Sequence, residues 1–423
     1  MIMEMALPKN TISDWLRKHA DLFKNTGAVT IGTGVASILA FVYWWIAAKS
    51  LPPDVIGKAS ALIYLMGMVG LLGDAGIGTL LNGEIATWRS RSVGMVSAAL
   101  IYGGGTALLA GAVVIWGLGR FLHPTMVDGV LFVIGCCLTA AAAVCDQSLT
   151  GMLRAGTRMV RQFAFSGLRV GLLLLALTWA IDESASILLS WIVSLFLTLI
   201  LGEILMRRFG ASLVGRPDFQ LLYQLRDKAA NHYLLDLGTQ APGMVMPYLV
   251  AVLLSPTTNA VFTVIWMIFS VASVVPGAFA TLLFPIIRAD PKQYRDKMIL
   301  SLSMSLAFAV GFGILIYLFS TQILTLFNPA YGTIENGQLC LIGFGMLGAV
   351  IKFHVCAAAR LANEMRRASS WFFVGGLLEI MGTIIGSKMG GLMGVSIGWT
   401  MAILFEAGLM LLLANPCRNR CII

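Results

Sequence analysis

Charged side chains interrupt several long apolar stretches of this 423-residue chain. The segment LLGDAGIGTLL, residues 71–81, sets a carboxylate among leucines and glycines. An ionisable group in membrane hydrocarbon costs a few kcal/mol, so it usually faces a partner or a water-filled cavity. The chemistry open to such groups is the binding of a charged substrate or a coupling ion. The candidates are Asp74, Asp146, Arg169, Asp236, Lys352, Glu379 and Glu406.

Two of these candidates are expected to form a buried ion pair. Asp146 lies eight residues before Arg154, and Arg169 lies eight residues after Arg161. If these flanking arginines mark the cytoplasmic boundary, both candidates lie about 12 Å inside it on adjacent helices. Asp236 is expected at the same depth in the second half of the chain.

The other candidates are expected at several depths. Lys352 lies nearer the cytoplasmic end of its apolar stretch, whereas Asp74, Glu379 and Glu406 lie closer to the middle. Together the charges favour a polar vestibule that opens towards the cytoplasm. Structural readings stay open, because the two basic candidates could extend to the interface and the ion pair could serve only stability.

Glycines surround Asp74, at positions 70, 73, 76 and 78. Small residues let a membrane helix approach its neighbour closely. We therefore expect the glycine face to pack inwards and to turn this carboxylate towards a polar interior.

The elements that carry these charges are membrane spans. The chain is 58% hydrophobic and 12% charged, whereas soluble domains carry about 25% charged residues. A span needs about 20 apolar residues. The sequence predicts an all-α integral membrane protein with twelve spans, at 26–48, 59–83, 94–116, 127–151, 163–180, 185–206, 229–254, 258–287, 297–319, 336–357, 369–387 and 391–414.

The net charge of +9 is a topology signal rather than a nucleic-acid footprint. Of 29 Lys and Arg residues, 23 lie in the N-terminal segment, the even-numbered loops and the tail. The positive-inside rule then puts both termini in the cytoplasm, and we expect a multi-pass protein of the bacterial inner membrane. The predicted outer loops are short and offer no catalytic groups, so we expect no enzyme.

The two halves of the chain read alike. Span 1 opens at Asn25 and span 7 at Asn231. Six spans in each half predict two six-helix bundles related as parallel repeats, a transporter architecture. The expected domains are an interfacial amphipathic segment (1–25), an N-terminal bundle (26–206), a cytoplasmic linker (207–228), a C-terminal bundle (229–415) and a cytoplasmic tail (416–423).

The seven cysteines predict neither a disulfide framework nor a zinc site. Five lie inside spans, and Cys417 and Cys421 lie in the tail. Cys136 and Cys137 are adjacent and lack nearby partners at zinc-binding spacing. We expect no metal and no cofactor.

The first hairpin, KNTGAVTIGTGVASILAFVYWWIAAKSLPPDVIGKASALIYLMGMVGLLGDAGIGTLL, carries a family resemblance. With YLVAVLLSPTTNAVFTVIWMIFSVASVVPGAFATLLFP in the second half, it resembles the lipid-linked oligosaccharide flippases (Wzx type). These belong to the multidrug/oligosaccharidyl-lipid/polysaccharide exporter superfamily.

The resemblance implies an alternating-access flippase that moves undecaprenyl-diphosphate-linked oligosaccharide to the outer leaflet. It also implies coupling to an ion gradient, and membrane lipid and polysaccharide assembly proteins as partners. On that model Arg169 and Lys352 bind the diphosphate. Asp74, Asp146, Asp236 and Glu379 are then candidates for ion coupling or for a polar cavity wall. The buried acids outnumber the buried bases, which departs from the cationic cavity of the family.

Other functions stay open. A multidrug or small-solute exporter of the same superfamily would use acids and aromatic rings to bind organic cations. A major-facilitator transporter also has two parallel halves, but the basic run that usually follows span 2 is absent. A membrane-embedded glycosyltransferase or polymerase would need a substantial polar loop, and a non-transporting scaffold would leave the buried charges unexplained.

Overall fold

In the computed structural model, the described residues are 20–117, 121–178, 183–289, 291–334, 337–362 and 364–414. Within these ranges the chain forms helices joined by short turns, and no strand occurs. The predicted tail lies outside the described residues, as does most of the predicted interfacial segment. Helix α1 begins at Ala20, inside that segment.

The first half makes six passes from seven helices. The second and third helices together form one pass. The helices are α1 (Ala20–Ser50), α2 (Pro53–Asp74), α3 (Ile77–Glu84), α4 (Ser92–Gly117), α5 (Met126–Gly151), α6 (Ala155–Thr178) and α7 (Glu183–Arg208).

The second half also makes six passes, after a short helix in the connection between the halves. The helices are α8 (Phe219–Gln224), α9 (Arg226–Leu253), α10 (Pro256–Ala289), α11 (Tyr294–Phe327), α12 (Pro329–Ile334), α13 (Gln338–Leu361) and α14 (Met365–Ala414).

Nine helices of the described chain are long and apolar enough to cross a membrane. Helices α1 and α9 add two passes. The described apolar part of α1 is shorter, at Gly34–Ser50, and α9 is less apolar than the nine. Helix α14 adds the twelfth, because its 50 residues would span about 75 Å if straight. It folds back at Gly390 and Gly391, where the backbone leaves helical geometry.

The two arms of α14 pack backbone against backbone. A Cβ at Gly386 would collide with the carbonyl of Gly394, and one at Gly398 would collide with the carbonyl of Gly382. Small residues four positions apart on facing helices permit this close approach in membranes. The hairpin brings Glu379 on the first arm and Glu406 on the second arm to one shared partner, Lys352.

Span 2 is broken, whereas the sequence predicted one continuous helix over 59–83. Helix α2 ends at Asp74, and α3 starts at Ile77. Between them Ala75 (φ 50°) and Gly76 (φ 75°) adopt left-handed backbone. At Gly76 a Cβ would lie 2.5 Å from the carbonyl oxygen of Ala229, so the break also lets α9 of the other half approach.

The halves meet most tightly at the predicted external end, where α2 and α10 both begin at a proline. Gly57 lies directly against the backbone carbonyl of Pro256. The Asn259 amide donates to the carbonyl of Gly57 (2.8 Å) and to the hydroxyl of Ser60 (3.1 Å). Thr263 adds a hydroxyl contact with Ser60 at 3.0 Å. These buried hydrogen bonds close that end.

The connection between the halves packs against α4. The Ser97 hydroxyl donates to the carbonyl of Leu213 at 3.3 Å, and Arg91 pairs with Asp218 at 2.6 Å. The N–H of Leu221 and the Arg91 guanidinium hold the pKa of the Asp218 carboxyl below its usual value. The predicted domain boundaries stay predictions.

Candidate functional site

A cavity of about 320 Å³ lies between the two halves. Helices α1, α2, α6 and α7 line it from the first half, and α9 and α10 line it from the second. Its walls are aromatic and sulfur-containing, and one lining residue is charged. The main lining residues are Trp44, Tyr64, Arg169, Trp191, Met244 and Met267.

Arg169 is that charged residue, and aromatic rings hold it. Its guanidinium carbon lies 4.7 Å from the ring centroid of Trp191, 5.0 Å from that of Phe165 and 5.3 Å from that of Tyr43. Phe165 precedes Arg169 by one helical turn, so both point to one face of α6. The Tyr43 hydroxyl is itself anchored by Ser190, with 2.9 Å between the oxygens.

This cation has no counter-ion among the described residues. Only 4% of the Arg169 surface is exposed, no described carboxylate lies within 4.0 Å of it, and its buried Nε lacks a hydrogen-bond partner. Rings stabilise a guanidinium by about 0.5–2 kcal/mol. That leaves a buried, positively charged group facing the cavity.

The expected pair of Asp146 with Arg169 is wrong. Arg161 instead donates its Nε to Asp146 at 2.8 Å and pairs with it through a second nitrogen. The reason is that α6 begins at Ala155 rather than at 163, so Arg161 already lies within the helix. Arg169 is about 12 Å deeper, since each residue rises about 1.5 Å.

Lys352 lies in a separate cluster within the second half. Its Nζ donates to Glu379 at 2.5 Å and to Glu406 at 2.8 Å. The indole N–H of Trp399 donates to the other oxygen of Glu379 at 2.7 Å. All three charged side chains are buried. Lys352 is therefore neutralised and does not line the cavity between the halves.

An aromatic stack connects this cluster to the cavity wall. The Trp399 ring lies edge-on to Trp266 and Phe269, with centroids 5.0 and 5.1 Å apart. Both rings belong to α10, which also contributes Met267 to the cavity. A shift of Trp399 would therefore bear directly on that wall.

Asp74 and Asp236 lie close to the break in span 2. Both Asp74 oxygens accept the N–H of Gly78, at 2.9 and 3.1 Å, so the carboxylate caps α3. The hydroxyl of Thr79 donates to Asp236 at 2.7 Å. The sequence expectation of inward packing agrees with the structure, since Asp74 is buried and Gly73 lies against Ala107.

A second contact between the halves lies near the break in span 2, at the predicted cytoplasmic end. Lys228 at the start of α9 pairs with Glu84 at the end of α3, at 2.6 Å. The Lys228 side chain is 60% exposed, so water competes for this pair. Compared with the hydrogen bonds around Gly57, these contacts are easier to break.

The sequence reasoning missed the aromatic cage and the partners of the buried bases. A signal for the cage was present, because Phe165 precedes Arg169 at the spacing that places both on one helix face. Among the described residues, no group of three or more His, Cys, Asp or Glu side chains could hold a metal ion.

No protein-family model matches the chain, and no curated protein sequence matches it. Solved structures do. An inward-facing multidrug resistance MATE family transporter of the MOP superfamily aligns with TM-score 0.74 at 14% identity, over 92% of this chain and 95% of that one. An outward-facing MATE family transporter gives 0.67 at 14% identity, over 95% and 96%. A MATE in the bent conformation gives 0.62 at 15%, also over 95% and 96%.

These structures have twelve membrane helices in two repeated bundles. The predicted architecture is therefore confirmed: this chain has the fold of the MATE transporters.

Proposed function

We propose that this protein is a transporter that moves a lipid-linked oligosaccharide diphosphate across the membrane. The observation that carries the proposal is Arg169, a buried cation that no carboxylate of the described residues pairs with, in a cavity between two halves. A diphosphate supplies the missing negative charge, and its oxygens match the fork of guanidinium donors.

The cavity wall suits such a substrate in a second way. Trp44, Trp191 and Met244 present apolar surface beside the cation, on which sugar rings and a polyprenyl chain can pack. The volume of about 320 Å³ is at the small end for ligand pockets. The proposal therefore has the diphosphate enclosed while the bulk of the glycan enters only when the halves separate.

The contacts at the two ends support alternating access. One end is closed by buried hydrogen bonds around Gly57, and the other by the exposed pair of Lys228 and Glu84. Opening one end while the other stays closed exposes the cavity to one side at a time. Asp74 and Asp236 lie at the weaker closure, where we propose that they respond to its opening.

Export of multidrug or small solutes is the second candidate. The solved structures of this fold include transporters described as multidrug resistance proteins, and aromatic and methionine side chains bind varied ligands. The charge of Arg169 argues against organic cations, because a buried like charge opposes them. Location in the inner membrane, cytoplasmic termini and polysaccharide assembly partners are further parts of the proposal.

The deciding experiment measures flipping of a lipid-linked oligosaccharide in proteoliposomes, together with rescue of a strain that lacks its own flippase. Arg169→Ala should raise the substrate concentration for half-maximal flipping by about 10–100-fold, because a charged hydrogen bond is worth about 1.5–3 kcal/mol. Arg169→Lys should recover part of this loss. Arg216→Ala, which removes an exposed arginine, is the matched control.

Two results would overturn the assignment. Normal flipping by Arg169→Ala would show that the guanidinium does not bind the diphosphate. Absence of flipping by the intact chain, with protection against a drug panel, would establish the multidrug alternative.

A further inference from the structure

The cluster of Lys352, Glu379 and Glu406 carries two acids and one base in a buried place. The Lys352 Nζ lies 2.5 Å from a carboxylate oxygen of Glu379 and 2.8 Å from one of Glu406. If every group were ionised, the cluster would hold one uncompensated negative charge. Such a charge costs several kcal/mol in a low-dielectric interior, so the cluster needs one more positive charge.

One oxygen of the cluster is without a hydrogen-bond donor. Both oxygens of Glu379 accept a donor, from Lys352 and from Trp399. Glu406 accepts from Lys352 through Oε2, but its Oε1 is buried and has no partner. The Glu406 residue is 2% exposed, so bulk water does not supply the donor.

We propose that Glu406 is a proton-binding site, and that Lys352 makes it selective for a proton over a metal ion. The proton adds to Oε1 of Glu406 and turns the carboxylate into a neutral carboxyl. The cluster then consists of a neutral Glu406 beside a balanced pair of Lys352 and Glu379. In this site the lysine occupies the place between the carboxylates that a bound metal cation would take.

The donor geometry excludes a metal cation. Sodium, like other hard cations, needs several oxygen ligands around it. Three of the four carboxylate oxygens already face the N–H groups of Lys352 and Trp399. One free oxygen can bind a proton, but it cannot form a coordination shell.

Few other charges face the cluster from the described parts of the neighbouring helices. On α9, Gly238 and Pro242 lie against Gly376 of α14. The charged residue nearest to this contact along α9 is Asp236. Helix α10 presents aromatic rings. On α13, His354 bonds to Ser301 of α11 at 2.9 Å. The cluster's charge is therefore set by its own three members.

Protonation of the cluster has a direct route to the cavity. The bond from Trp399 to Glu379 competes with the pull of Lys352 on the same carboxylate. Losing the Glu406 charge leaves Lys352 bound to Glu379 alone, so this pair can shift away from Glu406 and carry with it the Trp399 indole that is bonded to Glu379 and packs on α10. This coupling step rests on the proposed function, whereas binding of the proton does not.

Infrared difference spectroscopy of the full-length protein in lipid tests proton binding without any substrate. At neutral pH we expect the carbonyl stretch of protonated Glu406, and Asp74→Asn, which removes another buried carboxyl group, should leave this band in place. Glu406→Gln should abolish this band, and so should Glu379→Gln, because either change makes the cluster neutral without the proton. Glu183→Gln, at an exposed glutamate, should retain it. A band that is absent from the intact protein, or that survives in both cluster variants, overturns the proposal.

Two further readouts separate the parts of the inference. Replacing potassium by sodium should leave the band unchanged in the intact protein and alter it in Lys352→Gln; loss of the band in the intact protein would overturn the selectivity. In proteoliposomes a pH gradient should accelerate flipping by the intact chain and not by Glu406→Gln. Flipping without any response to the gradient in the intact chain overturns coupling, whereas no flipping at all overturns the proposed function and leaves the infrared result standing.

Discussion

Two buried bases, Arg169 in the first half and Lys352 in the second, are held in opposite ways. Arg169 lies among the rings of Tyr43, Phe165 and Trp191 and faces a cavity. Lys352 lies between two carboxylates and does not line that cavity. The difference follows the chemistry of the side chains, since a guanidinium is weakly hydrated and stacks on rings, whereas an ammonium is a strongly hydrated point charge.

This contrast distinguishes a base that is free to bind a ligand, Arg169, from a base whose charge is balanced by neighbouring carboxylates, Lys352. A base whose charge is already matched has little electrostatic free energy left for a ligand, whereas an unmatched one has most of it. We therefore assign the substrate to the first half's cation and the proton to the second half's acids.

The largest effect is expected where a balancing base is removed. Lys352→Met would leave the buried carboxylate of Glu379 without its cation, beside a protonated Glu406 that also loses its lysine partner, and breaking a buried pair costs about 3–5 kcal/mol. We expect a strongly lowered unfolding temperature of the purified protein. Adding Glu379→Gln and Glu406→Gln to Lys352→Met should restore much of it.

The matched change at the other base should be mild. Arg169→Met removes ring contacts worth about 0.5–2 kcal/mol but also relieves the burial of an unpaired charge. Lys388→Met, at an exposed lysine, provides the baseline. If Arg169→Met destabilises as much as Lys352→Met, the two bases do not differ as proposed.

An intermediate effect is expected at the one-to-one pair of Asp146 and Arg161. Asp146→Asn leaves Arg161 buried without its counter-charge, and a charged hydrogen bond contributes about 1.5–3 kcal/mol. The carboxylate is partly exposed, at 16% of its side chain, so the loss should be smaller than for Lys352→Met. Thermal unfolding of Asp146→Asn and of the exposed Asp296→Asn gives the comparison; equal values would contradict it.

The sequence was enough for the twelve spans, because each is a long apolar stretch and basic residues concentrate at the predicted cytoplasmic ends. It also located the charged residues that lie inside those stretches. It could not supply their partners, since pairing depends on helix starts and rotations that hydropathy does not report. An error of eight residues at the start of α6 moved Arg169 from the cavity to the predicted vestibule and hid Arg161 as the partner of Asp146.

The break after Asp74 was also beyond the sequence. Left-handed backbone at Gly76 is natural for glycine, but the neighbouring Ala75 gives no such signal. The close approach of Ala229 fixes this geometry, and that contact comes from the other half of the chain.

Weakening the cage around Arg169 should have a smaller effect on substrate affinity than removing the arginine. Trp191→Leu takes away the nearest ring, at 4.7 Å, and one cation–π contact is worth about 0.5–2 kcal/mol. The substrate concentration for half-maximal flipping should rise by about 2- to 30-fold. Trp116→Leu, at a tryptophan that is 86% exposed, should change nothing. An unchanged value for Trp191→Leu would show that the aromatic rings around Arg169 do not contribute to substrate binding.

The smallest effect is expected at a charge pair in water, between Arg91 and Asp218. The folded state lowers the pKa of the Asp218 carboxyl through the N–H of Leu221 and the Arg91 guanidinium. Its stabilisation is therefore fully present above the usual pKa of an aspartate and is lost as the pH falls through the lowered folded-state value. The unfolding temperatures of the intact protein and Asp218→Asn should differ at neutral pH and converge in acid, because the other carboxylates titrate alike in both. A difference that stays constant or grows in acid would show that Asp218 acts without its charge. The solvated pair of Arg91 and Asp218 would then no longer serve as the contrast to the buried bases.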